Sequence, residues 1–207
     1  TELESGPGRV SATLSWRVDG ESDWITTEMT ENPNGTLSSE IPAQPDGTVI
    51  EFYLRSSSNN AERTWPTAQQ QGETPEANAL LQFDDSYDPY AAWVPGTHPK
   101  YRIVMTEEER SELADIGDDN ESPRNEEESN AEMNCTFIVE DGTGLALRYL
   151  ASVRNRGASS RNPPPNNFLV KFRSDDAWND RPSVKFNAKY PHSQIFGSRY
   201  FLSAGME

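Results

Sequence analysis

The sequence predicts a mainly β protein in which a β-sandwich precedes a smaller α+β unit. Three observations carry that prediction. From Val10 to Val18 the apolar residues Val10, Ala12, Leu14, Trp16 and Val18 alternate with Ser11, Thr13, Ser15 and Arg17, the period-two pattern of a half-buried strand. The pairs Asp19-Gly20, Asn34-Gly35 and Asp46-Gly47 recur at turn-like intervals and supply residues that tolerate positive φ. After Lys100 a second set of alternating runs is interrupted by one helix-start signal, Thr106-Glu107-Glu108-Glu109.

Between the turns of the first part lie Trp24 to Thr27, Thr36 to Ile41 and Thr48 to Arg55, each short and rich in β-prone residues. In the last run Ile50, Phe52 and Leu54 share one face, while Val49 and Tyr53 share the other. Several strands at this spacing point to a sandwich over residues 1–66. Residues 67–98 lose periodicity and collect Gln, Glu, Pro and Asn, so they read as a connector. Phe83, Tyr87, Tyr90 and Trp93 anchor it along a domain surface. Asp84, Asp85 and Asp88 offer oxygens but lack the glycine and distal glutamate of an EF-hand loop.

The second unit, residues 99–207, begins with a strand at Tyr101, Ile103 and Met105. A helix follows, capped by Thr106 and Glu109 and stopped at Gly117. The acidic run from Asp118 to Glu132 reads as a solvated loop. Cys135 to Val139 and Leu145 to Val153 flank Asp141-Gly142-Thr143-Gly144, a hairpin signal, with Leu145, Leu147, Tyr149, Ala151 and Val153 on one face. Arg154 to Arg161 reads as a basic, small-residue loop. Phe168 to Phe172 is then a strand, with Lys171 opposite the face of Phe168, Val170 and Phe172.

Composition narrows the function. The chain has 207 residues, 34 acidic against 18 basic side chains, and a net charge of −16. That balance excludes sequence-independent nucleic-acid binding, which needs a basic footprint to replace phosphate counterions. Hydrophobic residues are only 33%, so the core is thin, divided or interrupted by polar loops. No apolar run reaches the roughly 18 residues of a membrane span. One cysteine, Cys135, leaves no internal disulfide. Partitioning the charge gives −10 for residues 1–105, −10 for 106–132 and +4 for 133–207, so an anionic ligand is expected in the last third. His98 and His192 lack metal-ligand spacing, and Asn134-Cys135-Thr136 matches a glycosylation sequon placed in a strand.

Leu14-Ser15-Trp16-Arg17-Val18, Ile41-Pro42 and Asp46 to Leu54 resemble fibronectin type III and immunoglobulin-like modules. Tyr101 to Glu109, Asn134 to Ile138, Val153-Arg154-Asn155-Arg156-Gly157-Ala158-Ser159-Ser160-Arg161 and Phe168-Leu169-Val170-Lys171-Phe172 resemble the start of the spore-coat protein H (CotH) kinase-like family, over residues 99–207. The resemblance implies an immunoglobulin-like β-sandwich followed by the β-rich N-lobe of an atypical protein kinase. It implies ATP and Mg as cofactors of the complete domain. Lys171 would pair with nucleotide phosphates; Gly157, Ser159 and Ser160 would line the phosphate-covering loop, and Arg156 and Arg161 would add charge.

No His-Arg-Asp or Asp-Phe-Gly motif follows, so the catalytic carboxylates are expected outside this chain, which would not be a competent kinase by itself. The implied setting is extracellular or cell-surface. Expected partners are a C-terminal lobe or a surface-assembly protein, with no nucleic acid and no membrane-spanning segment. The alternative reading is a non-catalytic extracellular module for adhesion or assembly that retains the fold.

Overall fold

The computed structural model describes residues 3–4, 11–58, 61–67, 76–88, 90–116, 130–157, 165–189 and 191–205. Among them are thirteen strands and two helices: β1 Leu3–Glu4, β2 Ser11–Val18, β3 Ile25–Glu28, β4 Thr30–Glu31, β5 Thr36–Ser38, β6 Val49–Ser58, β7 Ala61–Trp65, β8 Ala79–Gln82, β9 Lys100–Val104, α1 Glu107–Asp115, β10 Met133–Glu140, β11 Leu145–Arg156, β12 Asn167–Lys171, β13 Ser183–Phe186 and α2 Pro191–Ser203. The protein is therefore mainly β. No helix among the described residues is long and apolar enough to cross a membrane. The chain divides into two compact units, one of residues 1–107 and 134–151, the other of residues 108–133 and 152–207.

In the first unit β2 and β6 form the longest ladder, with Leu14 opposite Leu54, Trp16 opposite Phe52 and Val18 opposite Ile50. Cross-strand partners share a face, so the sequence alternation becomes one apolar surface. Leu14, Trp16, Ile50, Phe52, Leu54 and Ala79 form its buried cluster. β3 flanks β2, while β7 and β8 pair with successive stretches of the other side of β6. A separate sheet has the order β1-β5-β4. The three predicted turns hold, with Gly20, Gly35 and Gly47 at φ of 86°, 81° and 81°.

The predicted connector over 67–98 is partly sheet, because Ala79-Leu80-Leu81-Gln82 is β8. Leu81 faces Ile50 across the ladder, and Leu80 lies in a cluster with Val104 and Ile138. Thr136 Oγ donates to the Leu80 carbonyl at 2.7 Å, and the Asn134 amide donates to the Asn78 carbonyl at 2.9 Å. For this reason β9 and β10, assigned from sequence to the second unit, cluster with the first. Arg102 bridges Asp84 and Glu140, tying the end of this segment to the β9–β10 pair. Trp93 packs over Gly142 in the β10–β11 turn, where an added Cβ would sit 2.9 Å from the indole ring and φ is already 92°.

β11 begins in the first unit and ends in the second. Leu150 has a φ of 56°, which interrupts the simple alternation expected from Leu145 to Val153. Its last stretch pairs with β12, and β12 with β13, all antiparallel. β11 runs to Arg156, so the basic stretch expected as a loop from Arg154 is strand for its first three residues. The helix predicted after Thr106 is α1, and its Glu107 amide donates to the Asp19 carboxylate at 2.7 Å. Gly117 and residues 118–129 of the acidic run lie outside the described residues. α2 was not anticipated, and all five of its large apolar side chains are exposed, Phe196 by 73%.

Candidate functional site

The second unit displays its chemistry on a three-strand ladder. Ser152 lies opposite Lys171, Arg154 opposite Leu169, and Arg156 opposite Asn167. On the next pair Leu169 lies opposite Lys185 and Lys171 opposite Ser183. Because direct partners share a face and successive residues alternate, Arg154, Arg156, Lys171 and Lys185 come to one face around Leu169. The other face carries Val153, Phe168, Val170, Val184 and Phe186, with Asn155 among them. Asn155 is 1% exposed, and its amide donates to the Leu113 and Ile116 carbonyls at 2.8 and 3.2 Å. These are orphan acceptors at the C-terminal end of α1, so one buried side chain fixes the helix end to the strand that bears Arg154 and Arg156.

Four cations on strands about 5 Å apart repel one another unless acids intervene. Glu132 is such an acid. It pairs with Lys171, accepts a 2.7 Å hydrogen bond from Ser152 Oγ, and lies 3.9 Å from Arg154. Partial burial works against its carboxylate, but the hydrogen bonds from Lys171 and Ser152 and the charges of Lys171 and Arg154 outweigh that. Its carboxyl is therefore held below the ordinary glutamate value. Arg154 also donates to Asn130 Oδ1 at 2.9 Å. Arg156 donates to Asn187 Oδ1, whose amide donates in turn to Gln194 Oε1 at 2.9 Å. The arrangement can attract an anion, and an anion reaching Lys171 competes with Glu132.

Lys171 is thus a half-exposed strand lysine facing away from the apolar side, as its spacing predicts, and it stands with Arg156 on one face. Gly157 follows the end of β11 with a φ of 108°. Ser159, Ser160 and Arg161, with Ala158, lie outside the described residues. Arg154, Lys185 and Glu132 were missed as site residues from sequence. Lys185 stands out of phase with Val184 and Phe186, a usable signal, whereas Glu132 is one acid at the end of an acidic run with nothing to mark it. Asp175 is engaged by Arg173 through two hydrogen bonds of 2.8 and 2.9 Å. Asp84 accepts from Ser86, and Asp88 accepts the Tyr90 amide. Among the described residues no three metal-ligating side chains come together. The Asn134 sequon is packed, with Thr136 and Cys135 both 0% exposed. Compared with protein-family models, curated proteins and solved structures, the chain matches none.

Proposed function

We propose that the chain is the phosphate-binding, N-lobe-like part of a secreted or surface atypical kinase resembling the CotH family, preceded by an immunoglobulin-like β-sandwich that serves as a spacer. The cationic face made by Arg154, Arg156, Lys171 and Lys185 carries this reading. Such a face fits the triphosphate of ATP, because fixed guanidinium and ammonium groups neutralise phosphate oxygens. The ladder does not fit a magnesium site: its side chains are cationic, polar or apolar, and Glu132 is already taken by Lys171 and Ser152. The chain's own contribution would be to bind and orient the phosphates, with Glu132 holding Lys171 extended until an anion replaces it. The antiparallel sheets that hold β2 and β6 and that hold β1, β5 and β4, both in the first unit, support the sandwich part of the reading.

Titration with ATP at low salt, with and without Mg, tests it. Binding should weaken at least about tenfold in Lys171→Ala, the loss of one charge-assisted contact of about 1.5–3 kcal/mol. Equal affinity in both proteins removes Lys171 from the site. The second reading, a non-catalytic assembly module, is favoured by α2, whose Ile195, Phe196, Tyr200, Phe201 and Leu202 are all exposed. A strictly monomeric sedimentation profile, with no partner recovered from native material, counts against it.

A further inference from the structure

We propose that the first unit also holds a binding site for a small neutral aromatic molecule carrying one hydrogen-bonding group. The site is a cleft of about 300 Å³ over the apolar face of β2, β6 and β8. Leu14, Phe52, Leu54 and Leu81 form its floor, and Phe83 and Tyr149 add aromatic wall. Its origin lies in the lengths of the elements. β2 and β6 present eight and ten residues, while the segments around β4 and β5 cover their buried face with few side chains, Met29 ahead of the two-residue β4 and Ile41 beyond the three-residue β5, and Phe83 and Tyr149 pack beside them. Among the described residues, cover that short leaves part of a wide apolar face open, and apolar surface left open to water is unfavourable until something fills it.

Three properties of the lining define the occupant. First, a dry cavity of about 150 Å³ accommodates benzene, so twice that volume takes two fused rings. Phe52 and Tyr149 already meet edge to face with centroids 5.5 Å apart, the arrangement that a further ring can extend, and Met29 adds a polarisable sulfur. Second, among the described residues no charged side chain lines the cleft, which selects against ions. Burial also pushes the Tyr149 phenol up, keeping it neutral. Third, the polar side chains of the lining are Ser39 and Tyr149, and neither hydroxyl has a hydrogen-bond partner among the described residues. They are left to a ligand's single donor or acceptor. Apolar walls with a few converging polar groups are the usual make-up of a small-molecule site. This site is independent of the cationic face, which belongs to the other unit.

The test uses 2-naphthol, with naphthalene as the probe lacking the hydroxyl, by fluorescence titration and ligand-observed NMR on the whole chain. 2-Naphthol should bind saturably at one site with a Kd of about 1 mM or tighter. The double variant Ser39→Ala with Tyr149→Phe should weaken 2-naphthol by about three- to tenfold and leave naphthalene unchanged, as expected for a lost hydrogen bond. Ile41→Trp, which fills the cleft, should abolish binding of both. Should Ile41→Trp fail to fold, the change in preference between the two probes still decides the matter. Absence of saturable binding to the unaltered chain, equal loss of both probes in the double variant, or 2-naphthol binding that survives in a folded Ile41→Trp protein each overturn the proposal, the last by placing the probe on α2.

Discussion

Asn155 stands in a strand whose pattern calls for an apolar residue. Its amide is nonetheless buried because the carbonyls of Leu113 in α1 and of Ile116 just past it need a donor. Asn155→Leu should therefore destabilise the protein by about 1–3 kcal/mol, the cost of stranding buried acceptors, despite the gain in apolar surface. Chemical denaturation monitored by circular dichroism measures it, and an unchanged midpoint would show that the helix end finds other partners. Glu132 makes the opposite kind of contribution. Its folded carboxyl titrates below the ordinary value, so its stabilisation is fully present above about pH 4.3 and is lost as pH falls through the lower folded value. The gap in melting temperature between the unaltered chain and Glu132→Gln should be constant from about pH 5 to pH 7 and narrow as pH falls below the ordinary glutamate range. A gap that does not narrow at all as the acid range is crossed would mean that Glu132 acts through packing rather than charge.

Among the elements, those with clean alternation were legible: β2 and β6 follow directly from period two and from Gly20, Gly35 and Gly47. β8 was not, because Ala79, Leu80 and Leu81 are consecutive apolar residues served by two clusters, and a short apolar run has no period to read. α2 carries a Pro at its first position and Gly205 with a φ of 76° just past its end, both usable signals. Its apolar residues fall all round the helix, however, so no stripe announces it. That distribution has a consequence: the chain should bind an environment-sensitive dye such as anilinonaphthalene sulfonate, and Phe196→Ser with Phe201→Ser should remove most of the signal. Unchanged fluorescence would mean that α2 is covered in solution. At the site, Lys171 was legible from its phase against Phe168 and Val170. Arg156 was named through the family resemblance, but Arg154 and Lys185 were not, since they join Lys171 only through a cross-strand register that no single strand encodes. Glu132 reaches Lys171 across 39 residues of sequence. If it competes with anions for that lysine, Glu132→Gln should raise affinity for ATP about two- to tenfold while Lys171→Ala lowers it. Parallel loss in both variants would place Glu132 among the groups that build the face.

Across the whole molecule the net charge of −16 conceals an uneven distribution, with residues 133–207 at +4 and the rest at −20. The two parts respond to salt in opposite ways. Acidic self-repulsion in the compact state is long-ranged, and the Debye length falls from about 30 Å at 0.01 M salt to about 8 Å at 0.15 M. Screening should therefore raise the melting temperature over that range, because the repulsion it weakens is larger in the folded chain than in the expanded one. Attraction of an anion to the Arg154, Arg156, Lys171 and Lys185 face is weakened by the same screening, so ATP affinity should fall as stability rises. The direct contacts of Glu132 with Lys171 and Ser152 act over distances well inside the Debye length and should be screened least over this range. Thermal unfolding and ATP titration over one salt series separate these contributions. A melting temperature independent of salt would show that the acids are already neutralised locally by pairs such as Arg17 with Glu51 and Arg102 with Asp84. Affinity independent of salt would show that whatever binds ATP is not the cationic face.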